Sequence, residues 1–210
     1  MKRIRIAIGL SAAAVAIAAF LTMPAGTAMM KEVQTWFAPE KKAEVRVEGQ
    51  TEQTDQQLHQ STPAPSDAGS AGEEAQYVIY YDRDRYKLVA GEDKDVITTK
   101  EPLPDRYPDV YATIEQLPGV APADAIAQAR ERLAAAFAEV RATEQVSEPV
   151  AGYRVRAIDG QEWNSEIEVV YATDNGKGGS FVLTLRYFLE AAEGHGARFE
   201  QMLQQFQVVQ

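Results

Sequence analysis

Two histidines are the first candidates for chemistry in this chain of 210 residues, because imidazole titrates near neutral pH. His195 lies between two glycines, and Glu190 and Glu193 precede it by a few residues. A histidine beside carboxylates can act as a general base or as a metal ligand. The competing interpretation is a residue of the loop that begins a helix. His59 lies in a polar stretch, where we expect a solvated side chain.

Two pairs of carboxylates share a spacing of two residues, Asp82 with Asp84 and Asp93 with Asp95. Side chains two apart lie on one face of a strand, so such pairs could bind calcium. Basic residues beside them neutralise the local charge, and these are Arg83, Arg85, Lys87 and Lys94. The interleaved charges favour a solvated strand end or turn.

The remaining motifs fall short of a catalytic signature. The segment 174–179 (Asp-Asn-Gly-Lys-Gly-Gly) lacks the acidic series of a calcium loop and the residue order of a phosphate-binding loop, so it predicts a hairpin turn. Neither Ser165 nor Ser180 stands in a Gly-x-Ser-x-Gly setting, and the chain has no cysteine. We therefore predict no catalytic residue, no metal site and no cofactor.

Aromatic residues are the better candidates for a functional surface. Tyrosines suit the half-wet face of a sheet, where they pack with their hydroxyls at the rim, and they equally suit a recognition surface. If the protein has a binding surface, we predict an open sheet face that binds protein or peptide. Its candidate residues are Trp163, Asn164, Tyr153, Tyr171, Tyr187 and His195.

The charge of the chain limits its partners. The formal net charge is −10, and the sequence pI is about 4.8. Nucleic acid is not an expected ligand, since phosphate binding requires a basic surface. Cationic partners, metal ions and neutral protein surfaces stay open.

The first 37 residues contain a candidate membrane-targeting segment. Lys2, Arg3 and Arg5 precede an uncharged, Ala-rich run over 6–23, which is close to the length of a membrane-spanning helix. We predict that residues 6–23 anchor the chain in the lipid bilayer as a single span, with the basic end in the cytoplasm and the C-terminal domain outside. The apolar residues that continue to Phe37 then form an interfacial helix. The alternative is a signal peptide cleaved near Ala28, followed by secretion.

The rest of the chain divides into a linker and a domain. Residues 38–76 are rich in Gln, Glu, Thr, Ser, Pro and Gly, and they predict a disordered acidic linker in which only Val45–Val47 alternates like a strand. Residues 77–210 predict an extracytoplasmic α+β domain with a twisted antiparallel sheet and two packed helices. The expected strands are 77–81, 86–89, 95–99, 107–117, 152–158, 167–173 and 180–189, and the expected helices begin at Pro122 and near Gly196.

Two resemblances follow from these patterns. The element order ββββαβββα over 77–210 resembles the fold shared by Mog1 and the photosystem PsbP proteins. The run Met23-Pro-Ala-Gly-Thr-Ala28, followed by Glu32, Trp36 and Phe37 and an acidic linker, resembles the membrane exit of single-span Bacillus-type envelope proteins, including the extracytoplasmic parts of anti-sigma factors. Anti-sigma factors also have a cytoplasmic sigma-binding domain, for which residues 1–5 are too short. The resemblance therefore implies an accessory ectodomain.

Three function hypotheses are compatible with the sequence. The first is a non-enzymatic, membrane-tethered extracytoplasmic domain that binds another envelope protein or helps to sense envelope conditions. The second is a secreted or anchored hydrolase or metal-dependent enzyme centred on His195. The third is a carrier of a small ligand in a cleft between the sheet and the helices.

Overall fold

The computed structural model describes residues 37–47, 49–61 and 74–209. The predicted bilayer anchor over 6–23 and the alternative cleavage near Ala28 lie outside these ranges. Within the described ranges, no helix combines the length and the apolar character that crossing a bilayer requires.

Twelve strands and two α-helices make up the described part of the chain. The strands are β1 (Glu40–Val47), β2 (Gln50–Gln60), β3 (Gln76–Asp82), β4 (Tyr86–Val89), β5 (Lys94–Thr99), β6 (Tyr111–Leu117), β7 (Glu139–Val140), β8 (Glu144–Val146), β9 (Gly152–Ile158), β10 (Glu166–Asp174), β11 (Ser180–Phe188) and β12 (Gln207–Val209). The helices are α1 (Pro122–Ala136) and α2 (Ala197–Leu203).

The strands form two antiparallel sheets. The small sheet has the order β1-β2-β3-β12, and the large sheet has the order β4-β5-β6-β11-β10-β9-β7, with β8 also paired to β9. The predicted α+β class with antiparallel pairing is thus confirmed, although the strands divide between two sheets. The segment 174–179 is the turn of the β10–β11 hairpin, as predicted.

Strands β1 and β2 contradict the prediction of a disordered linker over 38–76 for its described residues, whereas residues 62–73 of that linker lie outside the described ranges. Strands β1 and β2 pair along their whole length, and β2 then pairs with β3 from Gln56 to Gln60. Val45 and Val47 are buried, and so is the polar side chain of Gln56. The composition misled because β1 and β2 supply most of each other's backbone hydrogen bonds, while the burial comes from packing against β3 and α2.

Helix α1 begins at Pro122, whose fixed φ suits the first helical position. It packs on β7, β9, β10 and β11, so it covers one half of a face of the large sheet. Ile126, Ala129 and Leu133 are buried against the sheet, whereas Arg130 is exposed. Phe137 ends the helix, and Val140 lies in β7.

The opposite face of the large sheet packs on the small sheet and α2. Phe199, Met202 and Leu203 of α2, followed by Phe206, enter the same core as Tyr77 and Ile79 of β3. A 3₁₀ turn (Leu189–Ala191) and a π turn (Ala192–Gly196) lead from β11 into α2, which begins at Ala197 beside the expected start near Gly196.

Strand β6 begins at Tyr111, not at Tyr107. The backbone N–H of Tyr107 donates to the carbonyl of Pro104 at 2.9 Å, which makes a turn, and Pro108 has no N–H to give to a ladder. Residues 100–110 therefore form a loop that joins β5 to β6, and this loop contributes to the candidate site.

Candidate functional site

Trp163 lies in the loop between β9 and β10, and that loop is held by hydrogen bonds. The hydroxyl of Ser165 accepts from the backbone N–H of Glu162 at 2.9 Å, and the N–H of Glu190 donates to the carbonyl of Trp163 at 3.0 Å. The N–H of Leu189 donates to the carbonyl of Ser165 at 2.9 Å. The backbone around Trp163 is therefore fixed against the end of β11.

The indole of Trp163 packs on two other rings and still faces solvent. Its centroid lies 5.7 Å from the ring of Tyr107 and 6.1 Å from that of Phe188, both in edge-to-face geometry, and Tyr107 stacks on Phe188 at 5.6 Å. Trp163 is 44% exposed, and Asn164 beside it is exposed too. We call Tyr107, Trp163 and Phe188 the aromatic patch.

A trough runs from the aromatic patch across the outer face of the large sheet. On this face Thr98 lies opposite Tyr111, and Tyr111 lies opposite Arg186. One cavity of about 530 Å³ adjoins Tyr107, and a second of about 440 Å³ adjoins α1. Both cavities include Tyr111, so we describe them as one trough with α1 along one wall.

The two ends of the trough differ in whether their charged side chains form ion pairs. Asp105, Asp109 and Lys87 line the end near the aromatic patch. At the other end the buried carboxylate of Glu168 accepts from Arg132 at 2.6 Å and from Arg186 at 2.7 Å. Those carboxylate–guanidinium pairs neutralise the α1 end, whereas Asp105 and Asp109 form no ion pair with the described residues.

The structure does not bring the predicted tyrosines to one surface. Tyr153 is half-buried on the α1 side of the large sheet, beside Ile126 and Arg130. Tyr171 and Tyr187 are buried on the opposite face, in the core shared with α2. Burial raises the pKa of both Tyr171 and Tyr187, and the hydroxyl of Tyr171 donates to Glu200 at 3.2 Å. Of the six candidates, only Trp163 and Asn164 are adjacent and exposed.

His195 lies in the π turn before α2 and bonds to a buried tyrosine. Its Nδ1 lies 2.7 Å from the hydroxyl oxygen of Tyr86, and its ring contacts Phe199. Burial lowers the pKa of His195, and the positive charges of Arg198 and Arg85 lower it further. Neither Glu190 nor Glu193 hydrogen-bonds to it. His195 thus joins the turn before α2 to β4.

His59 is not a solvated residue of a linker. Its Nε2 lies 2.9 Å from Oδ2 of Asp95, which also accepts from the hydroxyl of Tyr77, so the small and large sheets are joined here. Burial raises the pKa of Asp95, but hydrogen bonds from His59 and Tyr77 outweigh that effect and leave the pKa lowered. Sequence reasoning missed this cluster because its members come from three strands.

A cleft of about 430 Å³ lies beside Tyr77 and Asp95. Further carboxylates at the cleft belong to Glu74, Glu92, Asp93 and Glu115. Across the ranges that the structure describes, no three His, Asp or Glu side chains are arranged to hold a metal ion. Asp82 instead accepts from the N–H groups of Asp84 and Arg85, which stabilises the β3–β4 turn.

Comparison with known proteins adds no family: no protein-family model matches the chain, and no curated protein matches its sequence.

Proposed function

We propose that this protein is a non-enzymatic binding domain outside the cytoplasm, tethered to the bilayer through residues 6–23, that binds another protein of the cell envelope. Its binding surface is the aromatic patch with the adjoining trough. The order β3 to β6, α1, β9 to β11 and α2 supports the proposed likeness to the Mog1/PsbP fold, with the short strands β7 and β8 added between α1 and β9 and β12 added after α2.

The exposed indole of Trp163 carries this proposal. A tryptophan buries more apolar area on binding than most side chains and is enriched among the residues that dominate protein interfaces. Trp163 is held by Tyr107, by Phe188 and by the backbone bonds of its loop, so its ring loses little conformational freedom when a partner covers it. A rigid aromatic anchor beside a trough is the arrangement that favours binding.

The contacts of both histidines favour binding over catalysis. Nδ1 of His195 bonds to buried Tyr86, and Nε2 of His59 bonds to Asp95. Each ring therefore connects elements of the fold through a specific hydrogen bond. The patch and trough are separate from both contacts.

Site-specific photocrosslinking in cells tests the surface. In one chain, a photoreactive residue replaces Asp105, which is exposed beside the trough. In a matched control chain, it replaces Glu139, which is exposed on the edge strand β7 of the large sheet. We expect one protein adduct from position 105 and none from position 139. Equal adducts from both positions would contradict a defined surface.

Binding of the crosslinked protein, once purified, is then measured against the full-length chain in mild detergent. Trp163→Ala should weaken binding at least about tenfold, as expected for a central aromatic contact. Val89→Ala is the matched control, since Val89 is the other large exposed hydrophobic side chain of the described residues. Unchanged affinity of Trp163→Ala would refute the proposed function.

A further inference from the structure

The aromatic patch already holds one guanidinium group, from a residue of this chain. The Cζ of Arg106 lies 4.7 Å from the ring centroid of Tyr107, and its Nη2 donates to the Tyr107 hydroxyl at 2.7 Å. A planar guanidinium can stack on an aromatic face in this way, whereas an ammonium cannot stack. The exposed indole of Trp163, next to Tyr107, offers a second aromatic surface of the same kind.

Two carboxylates at the same end of the trough are available for cations. Asp105 and Asp109 are exposed, and neither forms a hydrogen bond or an ion pair with the described residues. Lys87 lines this end of the trough and Arg106 lies beside it on Tyr107, so the local charges balance. The two unpaired carboxylates and the net charge of −10 complement a positively charged ligand.

The shape of the trough selects an elongated ligand. Its two cavities of about 530 and 440 Å³ meet at Tyr111 and follow the outer face of the large sheet past α1. An extended peptide fits such a path, and its alternate side chains can reach a surface on one side.

From these observations we propose that the trough binds an extended, arginine-bearing segment of the partner protein, with one guanidinium on the indole of Trp163 and others paired with Asp105 and Asp109. This inference rests on the proposed function, since it specifies the partner's chemistry at the same surface. Lysine supplies the same charge but not the planar, bidentate group, so the two basic residues should differ in affinity.

Three dye-labelled nine-residue peptides, alternating Arg, Lys or Glu with Ala, serve as probes. Fluorescence anisotropy measures their binding to the full-length chain in mild detergent. We expect the Arg peptide to bind at least about threefold more tightly than the Lys peptide, from stacking on an exposed ring, and the Glu peptide not to bind. Trp163→Ala should remove the difference between Arg and Lys.

Charge variants separate the trough from general attraction to an acidic protein. Asp105→Asn with Asp109→Asn should weaken binding of the Arg peptide about three- to tenfold. Glu131→Gln with Glu139→Gln removes the same charge at exposed positions outside the patch and should leave the affinity unchanged.

Equal affinities for the Arg and Lys peptides, or equal losses in the two double variants, would overturn the inference. The proposed function would still stand in that case, provided that Trp163→Ala weakens binding of the crosslinked protein. The proposed function itself would be refuted if Trp163→Ala left the affinity for the crosslinked protein unchanged.

Discussion

Replacing Arg198 with Met should destabilise the protein strongly, because Arg198 joins α2 to the small sheet. Its side chain is 8% exposed, and its Nη2 donates to Glu52 at 2.6 Å. Its Nη1 lies 4.0 Å from Oδ2 of Asp82, whose side chain is 4% exposed. Methionine fills much of the same volume but leaves the carboxylate of Asp82 without this cation.

The size of the effect follows from burial. Losing the charge-assisted hydrogen bond to Glu52 costs about 1.5–3 kcal/mol, while Asp82 keeps a second cation, since Nε of Arg85 lies 3.7 Å from its Oδ2. For a domain of this length, that loss lowers the melting temperature by roughly 3–12 °C. Asp82→Asn in the same chain should restore part of the loss, because it removes a carboxylate that has lost one of its two cations.

Thermal unfolding of the full-length chain in mild detergent, followed by near-UV circular dichroism, measures these effects. Arg83→Met is the matched control on the small sheet: Arg83 pairs with Glu40, and their side chains are 37% and 59% exposed. An exposed pair contributes at most about 1 kcal/mol. Equal losses in Arg198→Met and Arg83→Met, or an additive double variant with Asp82→Asn, would refute the reasoning.

Three further predictions concern other parts of the molecule. Burial and nearby Arg198 and Arg85 hold the pKa of His195 below its usual 6.5. As the pH falls below that value, the unfolded chain binds the proton before the folded chain does, so the free energy of unfolding should decrease. In melting experiments across the same pH range, His195→Asn should flatten this decrease. Gly196→Ala should cost about 1–3 kcal/mol in denaturant unfolding, because the new Cβ would lie 2.9 Å from Cζ of Tyr187; an unchanged midpoint would contradict this contact. Alkaline extraction of membranes with intact-mass measurement should find the full chain in the membrane, whereas a soluble chain trimmed near Ala28 would exclude the anchor.

Alternating hydrophobic patterns made much of the large sheet predictable. Tyr77–Tyr81, Gly152–Ile158 and Ser180–Leu189 have the composition of half-buried strands, and each corresponds to an observed strand within two residues. Pro122 and the apolar spacing after it likewise located α1. Local sequence carries this information because each segment contributes its own buried face.

Strand β2 could not be recognised in the same way. Its sequence, Gln-Thr-Glu-Gln-Thr-Asp-Gln-Gln-Leu-His-Gln, has a single large apolar residue, and its burial is supplied by β3 and α2. The amide of Gln56 accepts from Gln205 at 2.9 Å, which satisfies a buried polar group that composition alone marks as solvated. Such partners are distant in sequence and leave no local signal.

Of the candidate site, only the exposed residues Trp163 and Asn164 could be predicted from the sequence. Trp163 and Asn164 stand out by residue type in a turn, and both are exposed in the structure. The tyrosines depended on strand register: Ala172 lies opposite Tyr153, and Tyr171 opposite Arg154, so Tyr153 and Tyr171 point to opposite faces. Tyr107 was assigned to the start of a strand and Arg106 was left outside it, so the contact between Tyr107 and Trp163 was missed.

The position of β12 beside β3 bears on how the domain reaches its folded state. Gln207 pairs with Val78, so the small sheet is complete only when the last described strand meets one that was synthesised far earlier. Strand pairings between residues far apart in the sequence slow folding, because closing the long loop between them loses entropy before the stabilising contacts form. A chain that passes through a membrane before folding would arrive outside with β1, β2 and β3 lacking their closing strand, and it would mature only after α2 and β12 had followed. If the chain is exported as proposed, late closure of this kind would keep it unfolded during export, and the pairing of β12 would decide how fast it matures.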